Sequence, residues 1–184
     1  MSFITTIKRW QFRRDLEREI AQAGPYRSKA HNMLFAKRLC VLFPADKSED
    51  RRKLDQFRQK RRDDGLSTEL FGFVDSKTLP THSSMKLFGR SDLNWSGAPN
   101  ANIRKKWKQK RCDILLVLGS PDHQLFNFFT HLKQAELRVG PYSESRENPF
   151  DILFAPGDPE ALHAQLKRAT DIFQIANAPI PAAV

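Results

Sequence analysis

Apolar residues along this chain gather into short unbroken runs, separated by longer stretches in which they recur every three or four positions. The runs are RLCVLFPA (38–45), LFGFV (70–74), MKLFG (85–89), DILLVLG (113–119), ELRVG (136–140) and DILFAP (151–156). Each has strand length, and several are apolar throughout rather than alternating, as expected of strands covered on both faces. Helical patterns fill the intervals. Residues 46–65 start near Asp46 or Ser48 and end by Gly65, with only Leu54 and Phe57 as an apolar stripe. Residues 100–111 carry Asn100 as a cap and Ile103 and Trp107 four apart. Ser120 and Pro121 open a buried helix through Lys133, and Asp158-Pro159-Glu160 open a last one marked by Leu162, Leu166, Ala169 and Phe173. Ahead of the first strand, 2–22 reads as a helix with Phe12, Leu16 and Ile20 on one stripe and Phe3, Ile7 and Trp10 on a neighbouring one, stopped by Gly24-Pro25.

Strands alternating with helices predict an α/β fold: a mainly parallel open sheet with helices on both faces, Rossmann-like or flavodoxin-like, with an N-terminal helical extension. A chain of 184 residues supports one such domain. The boundaries expected are 1–30 for a basic amphipathic helix and linker, 31–176 for the α/β domain and 177–184 for a flexible tail. Strand order does not follow from the pattern. A ligand is expected at the C-terminal edge of the strands.

Charge changes the picture more than overall composition does. The net charge is +10, and residues 1–62, with 17 Lys and Arg against 7 Asp and Glu, hold all of the excess. Such a concentration favours an anionic partner through steering and counterion release; the alternative is a solvated face. The most basic element is 46–65, with Arg51, Arg52, Lys53, Arg58, Lys60, Arg61 and Arg62. The 100–111 helix adds Arg104, Lys105, Lys108 and Lys110 around a Trp107 expected to be buried. These eleven cations form the predicted nucleic-acid-binding set, as one composite surface if both helices lie on the same side of the sheet.

Other chemistry finds little support. No run of about 18 apolar residues exists to span a bilayer, and charge interrupts the start before a secretory leader could form. Cys40 and Cys112 read as small buried hydrophobes in a reducing compartment, hence a cytoplasmic location. No Cys/His spacing suits a metal, and no glycine-rich turn suits a dinucleotide or nucleoside triphosphate, so no cofactor is expected. Of the five histidines, only His123 lies near a strand's C-terminal end, beside Ser120 and Asp122. No acid/base pair or catalytic residue is assigned. The leading reading is a non-catalytic protein that binds RNA or a ribonucleoprotein, possible association with the ribosome included. The alternatives are a protein-interaction subunit using residues 2–22, and an enzyme on a small anionic substrate at the strand ends near Asp46, Ser120 or Asp158.

The order L-F-G-R-S-D-L-N-W-S-G (87–97), C-D-I-L-L-V-L (112–118), A-E-L-R-V-G (135–140) and F-D-I-L-F (150–154) resembles a small uncharacterised bacterial family, a domain of unknown function. In that family a D-x-N-W-x-G-like segment precedes three such strands. The resemblance covers about residues 30–176, through Asp92, Asn94, Trp95, Gly97, Asp113, Val139, Gly140 and Asp151; the last strand and the more basic 46–62 helix depart from it. It implies a cytoplasmic bacterial α/β protein and carries no activity with it. It marks Asp92, Asn94, Trp95 and Gly97 as a candidate site, whose plainer role is a structured turn with Trp95 as its lid and Gly97 at positive φ.

Overall fold

A computed structural model describes residues 3–23, 36–81, 84–144, 148–155 and 162–176. The element order is α1 (Phe3–Ala23), β1 (Arg38–Pro44), α2 (Ser48–Asp63), β2 (Ser67–Val74), β3 (Lys86–Gly89), α3 (Ala101–Lys108), β4 (Cys112–Val117), α4 (Gln124–Leu132), β5 (Ala135–Pro141), β6 (Ile152–Phe154) and α5 (Leu162–Ala176). The Gly24-Pro25 stop, the opening at Asp158-Pro159-Glu160, the side chain of Phe173 and the tail 177–184 lie outside the described residues.

All six strands pair in parallel, in the order β3-β2-β1-β4-β5-β6. This is the Rossmann order, and it decides between the two expected arrangements. Alternate residues of the central strands feed two separate cores. Cys40, Leu42, Phe71, Leu115 and Val117 join α1, α3 and α4 on one face. On the other face Leu39, Val41, Phe43, Leu116 and Leu118 join α2 and α5. The first core is built on rings: Phe71 lies 4.6 Å from Trp107 and 4.8 Å from Phe88, and Phe129 lies 4.9 Å from Phe88. Trp107 is buried as expected, 1% exposed, and its indole N–H donates to the Phe129 carbonyl at 2.8 Å.

Two links between strands carry no helix among their described residues. After β2, Leu79 and Met85 cover the α2 face instead. Before β6, Phe150 packs on Gly140 so closely that a Cβ there would lie 2.4 Å from its ring. The two D-I-L segments share a device. Asp113 accepts the backbone N–H groups of Lys37 and Arg38 at 2.8 and 2.9 Å, and Asp151 accepts that of Arg138 at 2.7 Å. Each aspartate stands at the start of one strand and is bonded to the backbone of its neighbour, at the start of β1 for Asp113 and in the middle of β5 for Asp151. At Asp113 burial opposes ionisation, but those two N–H donors and the Arg38 guanidinium outweigh it and hold the carboxyl below the usual range.

The helix after β4 begins later than expected. His123, not Ser120, stands at its cap position, because Gly119 adopts φ +111° and turns the chain first. That turn is held from α5: the fully buried Gln165 accepts the Gly119 N–H at 2.7 Å and donates to its carbonyl at 3.2 Å. The expected N-terminal helix is α1, and it docks on the sheet's helical face, with Phe12 edge-on to Phe128 at 5.5 Å. Ile20, expected on the docking stripe, is exposed; Glu19 takes the inward place, bonded to Arg104 at 2.8 Å and to Lys108.

Replacing Gln165 by Leu leaves a buried N–H and a buried carbonyl without partners, and we expect a loss of roughly 2–4 kcal/mol in urea unfolding. A loss under about 1 kcal/mol would show that the clasp is dispensable. Glu19→Ala leaves two half-exposed cations facing each other. Faster hydrogen exchange confined to α1, with β4 amides unchanged, is the expected outcome.

Candidate functional site

In a sheet of this order the chain leaves β1 toward one face and β4 toward the other, and a crevice opens between their C-terminal ends. Here it is a cleft of about 560 Å³. Pro44 ends β1 and Asp46 follows it, Phe73 lies near the end of β2 and Asp75 follows that strand, and His123 caps α4 with Leu125 in its first turn. The 93–97 loop contributes Leu93, Ser96 and Gly97, and α1 contributes Phe12. No Lys or Arg is among these lining residues.

The polar groups are tied to one another. Asp46 accepts the Asp75 N–H at 2.7 Å through one carboxylate oxygen. Asp75 receives a two-pronged pair from Arg90, at 2.5 and 2.8 Å, which holds its carboxyl below the usual range. The His123 ring stacks on Phe126 at 4.4 Å and meets Phe73 at 6.0 Å. Burial drives its imidazole below the ordinary value, against the pull of Asp75 and Asp46, so it is neutral at pH 7. Its Nδ1 is buried and makes no hydrogen bond among the described residues. The Ser120/Asp122/His123 grouping does not form: Asp122 accepts the Ser143 hydroxyl at 2.9 Å, and neither Ser120 nor Asp122 lines the cleft. Sequence reasoning missed the partnership of Asp75 and Arg90 with His123, because three separate elements supply them.

The D-L-N-W-S-G segment forms one wall. Asp92 accepts the Gly89 N–H at 2.9 Å. The Asn94 amide oxygen accepts from the Ser96 N–H, the Ser96 hydroxyl and the Ala98 N–H at 2.7–3.0 Å, while its amide nitrogen donates to Asp15 of α1 at 3.3 Å. Gly97 has φ +88°. These are turn roles, and they also seat the loop against α1. Trp95 is no lid: it stands 59% exposed.

The eleven cations divide. Helix α2 packs with α5 and helix α3 with α1 and α4, on opposite faces of the sheet, so the two basic faces do not form one surface along their lengths. Several have internal partners. Arg51 donates to the Ala45 and Asp46 carbonyls, Lys53 pairs with Glu49, Arg61 with Asp64, and Arg104 and Lys108 hold Glu19. Arg52, Lys60, Arg62, Lys105 and Lys110 are exposed. At the strand N-terminal edge, however, Arg58 of α2 and Lys110 and Arg111, which follow α3, come to one place. A depression of about 350 Å³ there is lined by Arg38, Arg58, Lys86, Lys110, Arg111 and Lys133, with Glu69 the single acid among its lining residues. An adjoining one carries Arg58 and Arg62. Cys40 and Cys112 also line the first depression, buried and unoxidised.

Fold and crevice together define an α/β protein of Rossmann strand order that lacks the glycine-rich phosphate turn. Residues 8–171 match a family of unknown function, DUF6913, and the chain belongs to that family. No curated protein matches it. Among the described residues no helix is long and apolar enough to cross a membrane, and no group of three metal-ligating side chains occurs.

His123 gives the fold a pH dependence of known sign. The unfolded chain takes up a proton at about 6.5 while the buried ring resists it, so the contribution is full above pH 6.5 and is lost as pH falls toward the folded value. We expect the wild-type chain to lose more stability between pH 7.5 and 5.5 than His123→Phe does; parallel denaturation curves would remove His123 from this role.

Proposed function

We propose that this protein is a non-catalytic RNA-binding or ribonucleoprotein-binding module whose contact surface is the N-terminal edge of its sheet. The observation that carries the reading is the convergence there of Arg38, Arg58, Lys86, Lys110 and Arg111 on one depression, with Arg62 beside it. Arg38, Arg58 and Lys86 have carboxylate partners in Asp113, Asp55 and Glu69, whereas no ion pair engages Lys110, Arg111 or Arg62 among the described residues. Part of this charge complements the carbonyl ends of α2, α3 and α4, which also gather at this edge. The remainder is exposed, close-set and suited to successive backbone phosphates. Lys105 extends the basic area over one flank, and the α/β domain is the scaffold. A reducing, cytoplasmic setting agrees with two buried free thiols.

The test is filter binding of a single-stranded RNA across a salt series. Reversing Arg62, Lys110 and Arg111 to Glu should weaken binding at least about tenfold and lower the salt slope by about 2, near 0.7 for each cation removed. Arg52→Glu, near the other end of α2, should change affinity by less than about threefold. Absence of binding at low salt, or binding indifferent to the triple reversal, contradicts the reading.

A second reading rests on α1. Ile4, Ile7 and Trp10 are exposed although Phe12 and Leu16 dock the same helix. An apolar stripe turned away from its own domain suits a protein partner.

A further inference from the structure

The crevice at the C-terminal edge is chemically unlike the rest of the molecule. The chain carries ten excess positive charges, yet the residues lining this cleft include two aspartates and no Lys or Arg. We propose that it is a binding site for a small organic cation, a protonated amine carried on a flat apolar body.

Three sets of observations lead there. The first is electrostatic. Arg90 pairs directly with Asp75, whereas Asp46 makes no ion pair among the described residues: one of its oxygens takes the Asp75 N–H, the other makes no hydrogen bond, Arg90 attracts it only at longer range, and Arg51 is bonded to its main-chain carbonyl instead. One carboxylate without an ion pair therefore lines the cleft. The second is hydrogen-bond polarity. The Ser96 hydroxyl spends its proton on Asn94, at 2.7 Å, and presents lone pairs outward. The neutral His123 ring and the Gln124 amide can each accept as well as donate, and with the Asp46 and Ser96 oxygens they give a ligand that brings donors several acceptors. The third is shape. Phe12 and Phe73 wall the space with Leu93, and a cleft of about 560 Å³ admits a ligand of one or two rings.

The same features disfavour phosphate. Glu49 and Asp50 occupy the first turn of α2, where a phosphate would otherwise meet the helix N-terminus. The turn from β1 is Pro44-Ala45-Asp46-Lys47, without a glycine to let backbone approach an anion. An anionic substrate at Asp46, one of the sequence-based alternatives, thus meets like charge. The site is also remote from the basic edge, since the two lie at opposite ends of parallel strands, and each stands or falls without the other.

The experiment is amide chemical-shift titration of the full chain at pH 7.5 with tryptamine, which is a cation at that pH, with its uncharged analogue indole-3-ethanol, and with adenosine monophosphate. We expect saturable shifts from tryptamine at Asp75, Gly97 and His123, and binding of the uncharged analogue at least about fivefold weaker. Asp46→Asn, which keeps an acceptor for the Asp75 N–H, should weaken tryptamine about tenfold while leaving the spectrum elsewhere unchanged. Ser96→Ala supplies a second variant, expected to weaken it about threefold. Equal binding of amine and alcohol, preference for the nucleotide, shifts centred outside the crevice, or indifference to Asp46→Asn would each overturn the proposal.

Discussion

Six parallel strands that are apolar on both sides make a sheet that is stable only when both faces are covered. Most of the architecture follows from that requirement. Trp107 and the phenylalanines of α4 close one face, and Leu54 with Leu162 and Ala169 closes the other. In the two links whose described residues hold no helix, Leu79, Met85 and Phe150 supply apolar cover. Covering both faces also forces the chain to leave β1 and β4 in opposite directions, and this opens the crevice. It turns the basic sides of α2 and α3 away from each other for the same reason, so their cations approach only where both helices end.

Parallel strands leave unpaired backbone groups at their ends, and aspartates take several of them. Asp113 secures the start of β1, Asp151 takes an N–H in the middle of β5 where β6 begins to pair with it, Asp46 holds the end of β2, and Asp92 holds the end of β3. The D-I-L repeat is thus explained by strand alignment and needs no ligand. Cations are used in the same manner. Lys133, buried against the Trp107 ring at 4.4 Å, donates to the Trp107 carbonyl at 2.8 Å, and Arg138 donates to the Lys133 carbonyl. A formal charge of +10 therefore overstates the cationic surface open to a partner.

Element type was legible because uninterrupted apolar runs and three-to-four periodicity are properties of the residues themselves. Burial of Trp107 was legible for the same reason: Ile103 at one turn's distance defines an inner face. What failed depended on contacts between distant segments. Nothing near Ser120 reveals that Gln165 pins Gly119 and delays α4 to Gln124. Glu19 lies off the Phe12-Leu16-Ile20 stripe, and only the distant α3 brings Arg104 and Lys108 over it. Trp95 read as a lid because tryptophan beside a polar turn is usually covered; the Asn94 bonds complete that turn without it. The crevice was foreseen only as a location. Asp46 was named there, but Asp75 and the 93–97 loop come from elsewhere in the chain, and strand order alone brings them to His123.

The two ends of the sheet differ in sign for a reason that lies in chain direction. In a βα unit the helix begins at the strand's C-terminal edge and ends at its N-terminal edge, and the dipole favours acids at the first and cations at the second. Helix α2 follows this closely, with Glu49 and Asp50 in its first turn and Lys60, Arg61 and Arg62 in its last. Helix α3 ends the same way on Lys105, Lys106 and Lys108. Such placement would arise for stability alone, but it does not account for the residues beyond the helices. Lys110 and Arg111 lie past the end of α3, Arg38 and Lys86 open strands, and Asp46 and Asp75 follow strands on the opposite side. Outside the helices, however, Asp113 and Glu69 pair with Arg38 and Lys86 at one edge and Arg90 pairs with Asp75 at the other, so the charge that the dipoles leave unexplained comes down to Lys110 and Arg111 at the first edge and Asp46 at the second.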